Sequence, residues 1–273
     1  MNFHILTENK AKKAGILAEH GLSVFIQYKG KNYLFDTGQS DVFLKNADKM
    51  KVDLTNINNI IFSHGHYDHC GGFKNMVYLN ENTKIYIRKD AFIPKYALNT
   101  DCKTYRKIGI SWEHEPYSKN IIFTENLTKI NNHTYLLSNI PLINDFESVS
   151  SVLFKKENDK IIPDNMSDEQ ILVFDTEKGL VVFLGCSHPG IVNCLQHILN
   201  NFPNKKINTI LAGMHLDGIE ETKMNKTIEF LKSLSCERII PLHCTGILQI
   251  CKLKSEFKDK CFILNSGDSM NIW

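Results

Sequence analysis

No stretch of this 273-residue sequence approaches the roughly 20 consecutive apolar residues that a membrane-spanning helix needs. The start, Met1 to Leu6 followed by Thr7, Glu8, Asn9 and Lys10, also lacks the basic opening, apolar core and small-residue cleavage site of a secretory signal. Together these absences argue against membrane insertion and export, and the expected location is the cytoplasm. Closely paired cysteines are missing too. Eight cysteines occur, Cys70, Cys102, Cys186, Cys194, Cys236, Cys244, Cys251 and Cys261, but with no CxxC spacing, which excludes a small disulfide-stapled scaffold and fits reduced thiols. Charge of one sign is equally scarce. A net charge of +2 creates no field suited to nucleic acid or an anionic membrane; it says nothing further about partners, and oligomeric state has no signal. No linker divides the chain, and its length suits one large α/β domain over residues 1–273.

The apolar runs Leu22 to Gln27 and Asn32 to Phe35, separated by Tyr28, Lys29, Gly30 and Lys31, read as a hairpin whose second strand ends at Asp36, Thr37 and Gly38. Asp41 to Met50 places Phe43, Ala47 and Met50 at helical spacing, and Asn59 to Phe62 forms a short buried strand running into Ser63 and a histidine cluster. Ile85 to Arg88 reads as a further strand. Asp90 to Tyr117 has no clear period and reads as an irregular insertion, extended to about residues 90–145 as the region where substrate specificity would reside. In the second half, Gln170 to Asp175 and Leu180 to Leu184 make a hairpin ending in Gly185, Cys186, Ser187 and His188. A helix over Pro189 to Leu199 follows, then a strand Ile207 to Ala212 ending at Gly213, Met214 and His215. An amphipathic helix over Thr222 to Ser235 precedes a strand Arg238 to Leu242, which ends at His243, Cys244, Thr245 and Gly246. Three successive strands thus lead into a histidine.

The segment His64-Gly65-His66-Tyr67-Asp68-His69 concentrates four candidate ligands in six residues. Histidines at i and i+2 on an extended segment can address one cation, while Asp68 and His69 turn toward a second point; Gly65 lets the backbone bend closely around the site. Imidazole and carboxylate are donors that zinc, manganese and iron accept, and the carboxylate adds compensating charge. A solvated polar loop is the plainer alternative. Three histidines and an aspartate at the end of a buried strand, followed by Gly71 and Gly72, argue against it.

This cluster resembles the HxHxDH signature of the metallo-β-lactamase superfamily, and Phe35-Asp36-Thr37-Gly38 resembles the strand-end aspartate motif that precedes it there. The resemblance implies an α/β fold, an αββα sandwich of two mixed sheets flanked by helices, with a dinuclear metal site. It implies that His64, His66 and a further histidine hold one ion, that Asp68, His69 and a late histidine hold the other, and that Asp36 positions a ligand. Glu19-His20-Gly21-Leu22-Ser23, Gly185-Cys186-Ser187-His188, Gly213-Met214-His215-Leu216 and His243-Cys244-Thr245-Gly246 are similar to one branch, the dihydropterin-type ribofuranosyl-aminobenzene phosphate synthases and their relatives.

After the strand Leu180 to Leu184 the bridging aspartate common in the superfamily is not evident. His188 is then the candidate third histidine, as a ligand or as a residue that positions one, and Cys186 is either a thiolate ligand or a small buried residue. His243 corresponds to the late histidine. His215 either approaches the metals, contacts substrate from the rim, or donates to a backbone carbonyl. His4, His114, His133 and His197 are weaker cases, with His197 read as structural and His20 as a pocket-edge residue. Two zinc ions are expected, with manganese or iron as alternatives. Such a pair polarises a carbonyl or phosphoryl oxygen and lowers the pKa of bound water toward ~7. The leading reading is therefore hydrolysis of an ester or phosphoester-type small molecule, with Asp68 orienting the nucleophile and His215 stabilising the leaving group. A second reading is a transferase that joins a dihydropterin-methyl diphosphate to a ribofuranosyl-aminobenzene phosphate, with Tyr105, Trp112 and Tyr117 available as aromatic walls or as hydrophobic cover. A third is a non-hydrolytic metal or redox module, suggested by Cys70, Cys186 and Cys244 beside the candidate ligands, although no iron–sulfur spacing accompanies them.

Overall fold

The hairpin expected around Gly30 is present in the computed structural model, which describes residues 1–77 and 79–273. Ser23–Tyr28 pairs antiparallel with Lys31–Phe35 across a two-residue turn in which Lys29 (φ 46°) and Gly30 (φ 72°) are both left-handed, the turn whose twist matches a hairpin. The hairpin belongs to a unit made of Met1–Thr124, Ser151–Asp164 and Asn265–Trp273. Its seven-stranded sheet runs, in spatial order, Ser269–Asn271, Asn2–Thr7, Ser23–Tyr28, Lys31–Phe35, Asn59–Ile61, Lys84–Ile87 and Ile121–Phe123. The first pairings are antiparallel and the last three are parallel. Parallel strands lie buried on both faces, and the continuous apolar runs around Ile60, Ile61, Ile85 and Ile87 suit that position. The helix Val42–Met50 makes the first parallel crossover, burying Phe43 and Ala47 among Leu6, Phe25, Leu34, Phe62 and Phe73, and stops at Lys51, which is left-handed (φ 60°). Because Phe35 pairs with Ile61 in parallel register, the chain leaves both strands at one edge of the sheet, into Asp36 and into Ser63.

The stretch Asp90 to Tyr117, read from sequence as irregular, is more ordered than that. Lys95–Leu98 and Tyr105–Lys107 form a hairpin, and Lys95–Leu98 also pairs antiparallel with Leu153–Glu157, which pairs with Lys160–Pro163 to complete a four-stranded sheet. These strands are three to five residues long, and Tyr105–Lys107 is exposed throughout. The pairing that joins the two hairpins links residues more than fifty apart in sequence, and strands this short show no local period. A buried ion pair, Lys95 Nζ to Asp164 Oδ2 at 2.6 Å, ties the first strand to the end of the last.

The remaining segments, Glu125–Ser150 and Asn165–Leu264, form a second unit. Its six-stranded sheet runs Arg238–Leu242, Ile207–Gly213, Gly179–Leu184, Gln170–Thr176, Thr134–Ser138 and Leu127–Asn131. The first three strands are parallel neighbours, and the rest are antiparallel. Helices Ile191–Asn201 and Glu221–Ser233 bury Ile191, Leu195, Ile198, Ile228 and Leu231 in a core with Val182, Ile210 and Ile239. A third helix, Ile247–Phe257, escaped the sequence reading because Ile247 and Leu248 at its start are exposed and blur its apolar face. No helix among the described residues is long and apolar enough to cross a membrane.

The helix after His188 is held by a buried carboxylate. Glu147 accepts the Val192 and Asn193 amides at 3.0 and 2.8 Å and an Asn144 side-chain amide proton at 2.9 Å, satisfying two of the donors that a helix start leaves open. Glu147→Ala is expected to lower the unfolding free energy by about 1–3 kcal/mol, read as a lower urea midpoint at unchanged slope. A midpoint equal to wild type would show that water replaces the carboxylate without cost.

Candidate metal centre

In the first unit the ligand candidates are organised by Asp36, which is fully buried and sits in the left-handed region at φ 58°. One carboxylate oxygen accepts the Ser63 amide at 2.7 Å, and the other accepts the Ser63 hydroxyl at 2.7 Å and His69 Nδ1–H at 2.7 Å. Having given its proton to Asp36, the Ser63 hydroxyl accepts from His64 Nδ1 at 2.9 Å. Both His64 and His69 therefore carry their proton on Nδ1, which leaves the Nε2 lone pair for a ligand, the usual way a neighbour fixes a metal-binding tautomer. His64 Nε2 stands 3.0 Å from His66 Nδ1, and the His64 ring lies 4.3 Å from that of His69, centroid to centroid. Donor atoms around a tetrahedral ion with bonds of ~2.0–2.1 Å are ~3.3 Å apart, so the His64 and His66 nitrogens have the spacing of two ligands on one cation.

The backbone holds this cluster in place. Thr37 donates from its amide to the His69 carbonyl at 2.7 Å and from its hydroxyl to the same oxygen at 3.1 Å. The Tyr67 amide donates to Ile108 O at 2.8 Å, and the Cys70 thiol donates to the His64 carbonyl at 2.9 Å. Gly65 is required here for a reason more specific than flexibility: a Cβ at that position would collide with the Ala91 carbonyl. Asp68 is buried, with Oδ2 at 3.8 Å from His69 Nε2 and 3.2 Å from His20 Nε2.

In the second unit the three parallel strands end side by side, Leu184 opposite Ala212 and Gly213 opposite Leu242, and each runs into candidate ligands, as sites at the carboxyl ends of parallel strands commonly do. The turns are tight. Ser187, His215 and His243 are left-handed at φ 56°, 47° and 51°. Ligand-type atoms of Cys186, His188 and His215 lie within 4.8 Å of one another, and so do those of Cys186, His243 and Cys244. The sequence reading missed Glu169, which is buried and accepts the Ser187 and His188 amides at 2.6 and 3.0 Å. It lies 18 residues from the turn it braces, at the head of another strand, with no motif to mark it. His215 Nδ1 is buried with no hydrogen-bond partner among the described residues. Burial pushes the Cys244 thiol up, but hydrogen bonding to Cys186 and His215 and the charge of His243 outweigh it and hold the thiol well below its ordinary value. Burial likewise pulls His215 down, and the hydrogen bond and charge of Cys244 reverse this, leaving it raised.

Other candidates are plainer. His197 Nε2 donates to the Ser138 carbonyl at 3.1 Å, a structural role. His4 bonds to Asn2 and Ser269, and His114 lies 3.4 Å from Glu115. Trp112 packs against Phe73, Phe92 and Phe62 and donates to the Cys70 carbonyl at 2.8 Å, while Tyr117 packs against Phe73 at 4.8 Å, centroid to centroid. These two aromatics are cover over the first core rather than open stacking walls; Tyr105 packs on Phe154 instead.

Imidazole nitrogens with fixed tautomers, one carboxylate and nearby thiols form a donor set that suits a divalent ion such as zinc. A mixed α/β fold whose parallel strand ends carry such donors defines a class of metal-binding proteins. A family model for the metallo-β-lactamase superfamily matches residues 17–190, and the chain belongs to that superfamily. An uncharacterized protein of Methanocaldococcus jannaschii is 32% identical over 259 residues, covering 91% of this chain and 92% of the relative. The 7,8-dihydropterin-6-methyl-4-(β-D-ribofuranosyl)-aminobenzene-5'-phosphate synthase of the same organism is 29% identical over 270 residues, covering 92% and 89%. A crystal structure described as a metal-dependent hydrolase of the β-lactamase superfamily matches with a TM-score of 0.87 and 34% identity, covering 100% of this chain and 99% of that one. The short form of human tRNase Z, at a TM-score of 0.54 and 12% identity over 100% and 99% of the two chains, shares the fold alone.

Because Asp36 fixes the His69 ring, Asp36→Ala is expected to weaken zinc binding about 10–100-fold, measured by competition with a chromophoric chelator. Wild-type affinity in this variant would mean that His69 does not depend on Asp36 for its orientation.

Proposed function

We propose that this chain is a metal-dependent hydrolase of an ester or phosphoester-type small molecule. Its dinuclear centre is held by His64, His66, Asp68, His69, His188 and His243, with zinc as the resident ion. The observation that supports this most directly is the Asp36–Ser63 network, which leaves His64 and His69 with Nε2 lone pairs as a metal ligand requires. The 34% identity over the whole chain to a structure described as a metal-dependent hydrolase supports the same reaction class. When bound, a divalent pair supplies Lewis acidity toward a carbonyl or phosphoryl oxygen and a water acidic enough to react near neutral pH. In this reading the Asp68 carboxylate orients the attacking water, and His215 donates a hydrogen bond to the departing oxygen. Glu169 keeps the Gly185–His188 turn in place through two amides, so His188 reaches its position without a carboxylate from the turn itself.

A second reading, transfer rather than hydrolysis, is favoured by the 29% identity to the ribofuranosyl-aminobenzene phosphate synthase. The same residues would then hold the ions, which would supply the positive charge that binds the diphosphate of a dihydropterin-methyl diphosphate and stabilises it as the leaving group while the aminobenzene partner attacks. Trp112 and Tyr117 give this reading little help, since both are packed against Phe73.

Metal content by mass spectrometry, on protein purified without added metal, tests both readings. About two zinc ions per chain, reduced in His64→Ala and in His188→Ala, is the expected result, and a phosphoester screen alongside a pterin-diphosphate condensation assay then separates hydrolase from transferase. Absence of stoichiometric metal after reconstitution would sink both.

A further inference from the structure

The loop that carries His20 is anchored on both sides of that residue, yet the histidine itself is open to solvent. On one side, Glu19 accepts the Gln39 and Ser40 amides at 3.0 and 3.2 Å and the Ser40 hydroxyl at 2.5 Å. On the other, the Leu22 amide donates to the Asp68 carbonyl at 3.2 Å, and the Leu22 carbonyl accepts the Gly38 amide at 2.9 Å. Gly21 sits between them at φ 156°, where a Cβ would stand only 2.6 Å from the Asp68 carbonyl, so the close approach of the two backbones needs glycine. The result is an imidazole whose side chain is 56% exposed, on a fixed backbone, with Nε2 3.2 Å from Asp68 Oδ2.

An exposed histidine–carboxylate pair contributes little stability by itself, and so much anchoring around one calls for another role. His69 Nε2 approaches the same carboxylate oxygen at 3.8 Å. The two separations, 3.2 and 3.8 Å, bracket the ~3.3 Å between donor atoms of a tetrahedral ion with bonds of ~2.0–2.1 Å. We propose that His20 Nε2 is a ligand of the ion that Asp68 and His69 hold. This rests on the metal-centre reading above and adds a donor to it.

Cobalt titration of the metal-free full chain tests this, with wild type compared with His20→Gln and His20→Ala by visible absorption. Glutamine keeps an N–H donor for Asp68 but lacks the imidazole nitrogen. The expected outcome is that one of two cobalt equivalents binds at least about ten-fold more weakly in both variants, with altered bands, and that added imidazole restores the wild-type bands in His20→Ala. Inorganic phosphate should perturb the bands of His20→Ala at lower concentration than those of wild type. A His20→Gln titration superimposable on wild type would overturn the assignment and reduce His20 to a hydrogen-bond partner of Asp68. Failure of the wild type to bind cobalt would overturn the metal centre as well.

Discussion

A carboxylate taken out of water is costly unless its lone pairs are occupied, and Asp36 meets that condition with the Ser63 amide, the Ser63 hydroxyl and the His69 ring. The contacts that make this burial tolerable also dictate proton positions. His69 must present Nδ1–H to Asp36, and Ser63 must accept from His64, so both rings carry an unprotonated Nε2, that of His64 toward His66 and that of His69 toward Asp68. Asp36 reaches this place only by adopting a left-handed backbone directly after its strand. Strand pairing, backbone strain and ligand chemistry thus meet in one residue.

The second unit solves the same problem with different parts. Three parallel strands end at one edge of its sheet, and the residues Ser187, His215 and His243 there are left-handed, a conformation that costs a side-chain-bearing residue about 1 kcal/mol or more. Hydrogen bonds to Glu169, to the Gly213 carbonyl and to the Thr245 hydroxyl hold these turns. Strain of this kind persists where the surroundings over-determine it, and its concentration at the ends of parallel strands in both units follows from the need to turn a side chain sharply out of a sheet.

The parts legible in the sequence are those with a local period or a local motif. Alternating and continuous apolar runs marked the strands Ser23–Tyr28, Lys31–Phe35, Asn59–Ile61, Gly179–Leu184, Ile207–Gly213 and Arg238–Leu242 to within two residues at either end, because burial in a sheet interior demands apolar side chains wherever the strand goes. Short strands with exposed edges, such as Tyr105–Lys107, carry no such demand and were read as irregular. Trp112 and Tyr117 were visible as aromatic residues, yet whether they covered a core or lined a pocket depended on Phe62, Phe73 and Phe92, which lie up to fifty residues away.

By itself the sequence determined the candidate ligand types and their order along the chain: His64, His66, Asp68 and His69 in one segment, and His188 and His243 each after a strand, with His215 after a third. Ligand identity is a matter of side-chain chemistry and needs no fold to be read. Only the tertiary structure decided which nitrogen of each ring is available, that Glu169 braces the turn before His188, and that His20 meets Asp68. Those outcomes depend on groups 19 to 48 residues apart in sequence, joined by hydrogen bonds that exist only once the sheets have formed.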